Sequence, residues 1–490
     1  MLFNSYEFIL FFLPVSLTGY FFAAHRLSTG TARLWLVLCS LFFYGWWNPH
    51  YLVLILGSML GNYAMGKWLA RLQGQRVAQK IALTAGVTAN LALLGWYKYA
   101  NFFVHEAGTM FGVNWTLNNI VLPLGISFFT FLQVGYLVDA AQGKTREYRF
   151  SNYALFVTFF PHLIAGPIVH HSDLMPQFAR PETFRFNVRR FAAGFTLFTL
   201  GLAKKLLIAD LLAPDAQHVF GVAASGQALR AADAWAGLGA FTFQIYFDFS
   251  GYSDMAIGLG LLFGIMLPFN FDSPYKSLSV VEFWRRWHIT LSRFFRDYLY
   301  IPLGGNRRGS ARVCANLLLT MTLAGLWHGA NWTFLVWGAA HGVALAVNHL
   351  WRLKHPLAEG QEARVAWGFR ISAWTATFLF VMLSWVLFRA DNLGVAGHYL
   401  QALFGAGPEG LSGRPLLVKS GLFVYLALLL VFACWSPNTQ QLLAAELPLP
   451  VAPSRWQWKP RPGLALVLGL LFAACVLSLS HVSQFIYWQF

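Results

Sequence analysis

Apolar stretches of about twenty residues recur along nearly the whole chain, separated by short, mostly basic loops. A helix advances about 1.5 Å per residue, so roughly 20 apolar residues carry it across the hydrocarbon core of a bilayer. No water is present there to take up backbone hydrogen bonds, so a spanning segment must be a helix or part of a closed barrel. Barrel strands would read as short alternating segments. The stretches fall near 7–24, 33–48, 51–66, 81–97, 119–141, 153–169, 191–212, 235–265, 313–329, 332–350, 369–388, 419–436 and 463–481. With 57% hydrophobic and 11% charged residues, the chain has too few polar side chains to cover a water-facing surface. The expected fold class is all-α: a polytopic integral membrane protein with about 11–13 membrane helices or re-entrant segments.

The N-terminus lacks the positive leader and small-residue cleavage site of a signal peptide, so 7–24 reads as a retained first span. Within 153–169, Phe160-Pro161 and Gly166-Pro167 interrupt the apolar run. Irregular backbone at membrane depth is tolerated only inside protein or beside a water-filled cavity. The segment is therefore expected next to an internal cavity, with a plain proline kink as the other reading. No solenoid repeat, inverted repeat, low-complexity tract or separate soluble domain is evident, and residues 1–490 read as a single membrane domain. Cys39, Cys314, Cys434 and Cys475 are scattered, which fits neither a disulfide framework nor a zinc site.

The formal net charge of +16 would raise nucleic acid as a partner in a soluble chain. Here the basic residues lie between apolar runs, where they set orientation, so the partner they imply is the bilayer rather than nucleic acid. Lys67, Arg71, Arg76 and Lys80; Lys144, Arg146 and Arg149; and Arg352, Lys354 and Arg364 mark three loops that can all be cytoplasmic if the N-terminus lies outside. The 98–118 loop has one lysine and no arginine, as an outside loop should.

The longest polar insertion, 272–312, holds eight basic and three acidic residues interleaved with aromatic ones. An amphipathic helix of that make-up would lie in the cytoplasmic interface. Lys204-Lys205 reads as an interfacial, snorkelling pair.

Three regions carry side chains that could do chemistry. Gly325-Leu326-Trp327-His328-Gly329-Ala330-Asn331-Trp332 sets a histidine between two apolar runs, followed by Trp337-Gly338 and His341-Gly342. Histidine can take a proton from a hydroxyl and release it again near neutral pH, and flanking glycines would let a substrate approach the backbone. A packing histidine bonded to a carbonyl fits the same residues. Glu282-Phe283-Trp284-Arg285-Arg286-Trp287-His288 offers a second histidine beside Arg285 and Arg286, which could bind donor phosphates or only lipid headgroups. Phe247-Asp248-Phe249-Ser250-Gly251-Tyr252-Ser253-Asp254 puts two aspartates in an apolar run, as a cation site or as a polar network that positions helices. No HExxH, Walker A or GxSxG motif occurs.

The stretches WRRWHITLSRFFRDYLYIPLGG at 284–305 and LWHGANWTFLVWGAAHG at 326–342 closely resemble the signature of membrane-bound O-acyltransferases, most of all the bacterial alginate O-acetyltransferase branch. MLFNSYEFILFFLP at 1–14, PLGISFFTF at 123–131, FPHLIAGPIV at 160–169, YFDFSGYSDMAIG at 246–258 and FNFDSPY at 269–275 extend the resemblance over about 1–390. It implies a membrane fold with a cytoplasmic funnel, His328 as catalytic residue and His288 as the second signature histidine. Trp327, Asn331, Trp287, Arg285, Arg286 and Asp254 are weaker candidates for lining the donor site or tunnel. The resemblance also implies acetyl transfer from acetyl-CoA at the bacterial inner membrane to an exported polysaccharide, through a periplasmic partner of the esterase-like SGNH type. Acetyl-CoA is a substrate in this reading, and neither a cofactor nor a metal is expected. The alternatives are D-alanyl transfer from a carrier protein to a cell-wall polymer and, outside the class, an ion-coupled transporter using Asp248 and Asp254.

Overall fold

The computed structural model describes residues 1–113, 115, 117, 120–145, 149–355, 366–405, 417–418, 421–447, 454–479 and 485–486. Arg146 and Arg364 of the basic loops, and residues at the ends of the expected 119–141, 419–436 and 463–481 spans, lie outside that set. Among the described residues every regular element is a helix. Seven are long and apolar enough to cross a membrane: Glu7–Arg26, His50–Arg71, Arg76–Met110, Val188–Ala224, Gly309–His328, Trp332–Lys354 and Trp367–Arg389. Ile126–Ala141, Gly421–Trp435 and Pro462–Leu477 are shorter apolar helices. The protein is thus an all-α, multi-pass membrane protein. Several expected spans are shorter than their apolar runs. The 119–141 stretch is helical only over Ile126–Ala141, and 153–169 only over Phe150–Thr158 and Phe160–Leu163.

The chain divides into two compact units. The first comprises Met1–Ala203, Gly251–Phe269 and Leu443–Gln489. Its helices are joined at membrane depth by polar side chains. Asn62 and Asn90 bond reciprocally at 3.0 and 2.7 Å, and Asn62 Nδ2 donates to Gln133 Oε1 at 2.5 Å. Such amides span helices because lipid offers them no other partner. The break at Phe159 (φ −49°, ψ 107°) is covered by protein: residues 152–171 are buried, and Ser40 Oγ accepts from the Phe160 N–H at 3.1 Å. This is irregular backbone buried in protein and not a kink in a continuing helix.

The second unit comprises Lys204–Ser250 and Asn270–Leu442. It is built on the hairpin of Gly309–His328 and Trp332–Lys354. A methyl group at Gly325 would run into the Phe334 carbonyl oxygen, and one at Gly329 into the Phe334 ring. Gly325 therefore lets the two helices of the hairpin meet closely, and Gly329 leaves room for the Phe334 ring. Lys205 does not snorkel. It is 1% exposed and bonds Asp248 at 2.7 Å and Asp210 at 2.8 Å. Two carboxylates within reach outweigh the cost of burying the ammonium, because a buried charge is tolerated when paired.

Candidate active site

The 272–312 insertion does not form one interfacial helix. It folds as Val280–Arg286, Ile289–Phe295 and a π-turn Arg296–Tyr300, and Phe283, Trp284, Trp287 and His288 are buried. The helix breaks at His288, which sits at φ 43°, ψ 53°. A non-glycine residue in the left-handed region costs about 1 kcal/mol or more and persists where its surroundings over-determine it. Here they do. The Asn270 carbonyl accepts from the Ile289 N–H at 3.0 Å, and Asn270 Oδ1 accepts from Thr290 Oγ1 at 2.6 Å and from the Thr290 N–H at 3.4 Å. The same Oδ1 lies 3.3 Å from His288 Nδ1. Because the Thr290 amide can only donate, that Asn270 atom is the oxygen, and His288 Nδ1 must carry the proton. The ring is left with Nε2 as its acceptor. Complete burial pushes the His288 pKa down from its ordinary value to about 3, so the imidazole is neutral at physiological pH.

His328 is the last residue of Gly309–His328 and is 3% exposed. Its ring packs against Trp327 at 5.0 Å, Phe388 at 5.1 Å and Trp337 at 5.4 Å. His288 lies 4.7 Å from Phe249, 6.2 Å from Trp327 and 6.4 Å from His328, ring centre to ring centre. The structure thus brings His288, His328 and Trp327 into one buried aromatic cluster. Trp287 packs beside it, 5.0 Å from Trp385. Trp337 and Trp385 are fully buried, and their indole N–H groups have no acceptor among the described residues. Such donors are costly to leave unmade and suit a bound oxygen.

The weaker candidates divide. Arg286 is engaged within the protein, 2.9 Å from Glu282 Oε1 and donating to the Asp272 carbonyl at 3.0 Å, while Arg285 is exposed. Asn331 caps Trp332–Lys354: its Oδ1 accepts from the Thr333 N–H at 3.0 Å and its Nδ2 donates to the Asp391 carbonyl at 2.7 Å. Asp254 is buried in the first unit, whereas Asp248 belongs to the second and is paired with Lys205. Two residues escaped the sequence reading. Asn270 was visible only as part of the FNFDSPY stretch, and His341 only as a trailing motif residue. Neither carries a local signal for its partners, which come from distant segments.

His288 and His328 are thus two imidazoles enclosed by aromatic rings inside a helical membrane protein, and an imidazole can exchange a proton with a hydroxyl near neutral pH. The chain belongs to the membrane-bound O-acyltransferase family, whose model matches residues 75–386. It is a membrane-bound acyltransferase. It is 40% identical to a probable alginate O-acetylase of Pseudomonas aeruginosa over 100% of both chains. It is 44% identical to a peptidoglycan O-acetyltransferase of Helicobacter pylori, over 83% of this chain and 80% of the relative. A teichoic acid D-alanyltransferase of Streptococcus thermophilus is 27% identical over 54% of this chain and 68% of its own length.

Proposed function

We propose that the protein moves an acetyl group from cytoplasmic acetyl-CoA across the bacterial inner membrane for O-acetylation of an exported polysaccharide such as alginate. The buried His288–His328 pair carries this reading, and the full-length likeness to named O-acetylases supports acetyl over D-alanyl transfer. His328 acts as general base. It takes the proton of the acceptor hydroxyl as that oxygen bonds to the thioester carbonyl carbon. The C–S bond then breaks, and the proton passes from His328 to the departing thiolate. His288, neutral and held by Asn270, orients a reactant through Nε2. Buried indole N–H groups such as that of Trp337 suit the developing oxyanion. The distribution of Lys and Arg supports a donor entering from the cytoplasm, with the 272–312 insertion on that side. The acceptor hydroxyl belongs to a periplasmic esterase-like partner, which carries the acetyl ester and passes it to a hydroxyl of the polymer. An ion-coupled transporter is disfavoured because Lys205 already neutralises Asp248.

The test is acetyl transfer from acetyl-CoA by purified protein. His328→Gln keeps hydrogen-bonding capacity and loses the base, so transfer should fall by about 10²–10⁴-fold with the protein still folded. Near-normal transfer by that variant would remove the proton-transfer role.

A further inference from the structure

A third imidazole packs against the same aromatic cluster through Trp337. His341 is 0% exposed on Trp332–Lys354. Trp284 Nε1 donates to its Nδ1 at 3.2 Å, and its Nε2 lies 3.0 Å from Ser384 Oγ. Ser384 Oγ donates to the Val381 carbonyl at 2.7 Å. An indole N–H can only donate, so Nδ1 is bare and the ring is neutral with its proton on Nε2. The Ser384 hydroxyl proton is committed to Val381, so Ser384 Oγ accepts from Nε2. All the bonds of the relay then run in one direction, and a single ring ties together Val280–Arg286, Trp332–Lys354 and Trp367–Arg389.

Each end of that relay leads to a signature histidine. Trp284 lies on the short helix Val280–Arg286, which Trp287 caps and His288 follows. Ser384 precedes Trp385, whose ring is 5.0 Å from Trp287 and 6.0 Å from Trp337. Trp337, one turn before His341, lies 4.9 Å from His341 and 5.4 Å from His328. A phenylalanine would fill much of the same space but would leave the buried Trp284 N–H unsatisfied and free the three helices to shift.

We infer that His341 is a positioning residue for the acyl transfer: its single tautomer sets Trp284, Ser384 and Trp337, and through them the spacing of His288 and His328. The inference rests on His328 being the reacting base. A displacement of about 1 Å at a reacting centre costs on the order of a hundredfold in rate.

The experiment measures kcat and KM for acetyl-CoA in purified full-length protein, with rates divided by the fraction of molecules that bind donor. His341→Phe and Trp284→Phe should each lower kcat about 10- to 100-fold with little change in KM. His341→Gln, which keeps one acceptor and one donor but cannot shuttle a proton, should retain much of the rate. The Trp284→Phe/His341→Phe double variant should be no slower than the slower single one, because the relay acts as a unit. Wild-type kcat in His341→Phe overturns the inference, as do additive losses in the double variant or a His341→Gln as slow as His341→Phe. If His341→Phe does not fold, Trp284→Phe and Ser384→Ala decide: wild-type kcat in both overturns it. His328→Gln is the control. An inactive control beside fully active relay variants sinks this inference alone, whereas an active control overturns the base assignment and the inference with it.

Discussion

His288 and His328 face each other with ring centres 6.4 Å apart and planes inclined at 56°. They reach that relationship by different means. His328 ends a membrane helix whose glycines seat it against the next helix. His288 occupies a strained turn that Asn270 holds from a segment eighteen residues earlier in the chain. One ring is placed by helix packing and the other by a hydrogen-bonded loop, so the two can be perturbed separately.

Asn270 is the first place to do so. Asn270→Leu leaves the buried His288 Nδ1–H and Thr290 hydroxyl without their acceptor. It should cost about 1–3 kcal/mol of stability per orphaned donor and lower transfer beyond what the lost folded fraction explains. Thr290→Val removes one of these bonds and should do less. Thermal melts in detergent beside acetyl-transfer rates measure both. Unchanged turnover in Asn270→Leu would contradict the role given to His288.

Acid should destabilise the protein partly through His288. Its folded pKa is depressed to about 3, so the folded ring stays neutral while the unfolded one takes a proton near its ordinary value of about 6.5. The unfolded state then binds more protons, and stability falls as pH drops from about 6.5 toward 3, by up to roughly 1.4 kcal/mol per pH unit. Above about 6.5 this group adds no pH dependence. Melting temperature against pH should therefore fall more steeply on the acid side in the wild type than in His288→Asn. Parallel curves would show that His288 titrates alike in both states.

Arg285 and Arg286 should separate by function. Arg285 is exposed, and Arg286 is held by Glu282 and Asp272. If the donor's phosphates bind here, Arg285→Ala should weaken acetyl-CoA binding about ten- to a hundredfold, the cost of a charge-assisted hydrogen bond. Arg286→Ala should mainly lower stability. Equal donor affinity in wild type and Arg285→Ala would assign the exposed guanidinium to lipid headgroups.

Lys205→Met should be strongly destabilising. It takes the shared ammonium away from the buried Asp248 and the part-buried Asp210, and breaking a buried ion pair by removing one partner costs about 3–5 kcal/mol. Lys205→Met/Asp248→Asn removes one of the uncompensated charges and should recover part of the melting temperature. A double variant less stable than Lys205→Met would show that the cluster is not held by charge pairing.

Length and composition of the apolar runs were enough to determine the helical, multi-pass architecture, because a bilayer leaves a chain of this hydropathy no other backbone solution. The WRRWH and LWHGANW motifs singled out His288 and His328 only through their resemblance to the family signature, since a histidine among apolar and aromatic residues reads equally as a packing residue. Only the tertiary structure decided what surrounds them. The basic aromatic insertion reads as an amphipathic helix, yet it breaks at His288 because Asn270 offers the 288–290 turn better bonds than a continuing helix would. Lys205 reads as a snorkelling residue, yet it is buried because helix packing delivers Asp248 to it. Asn331 reads as a site residue and caps a helix. His341 carries no mark in the sequence that sets it apart from a packing histidine; Trp284 and Ser384, 57 and 43 residues away, make it a junction. Hydropathy is a property of each residue and its neighbours along the chain. Tautomer, strain and charge pairing depend on partners that only folding brings within 3 Å or so of one another.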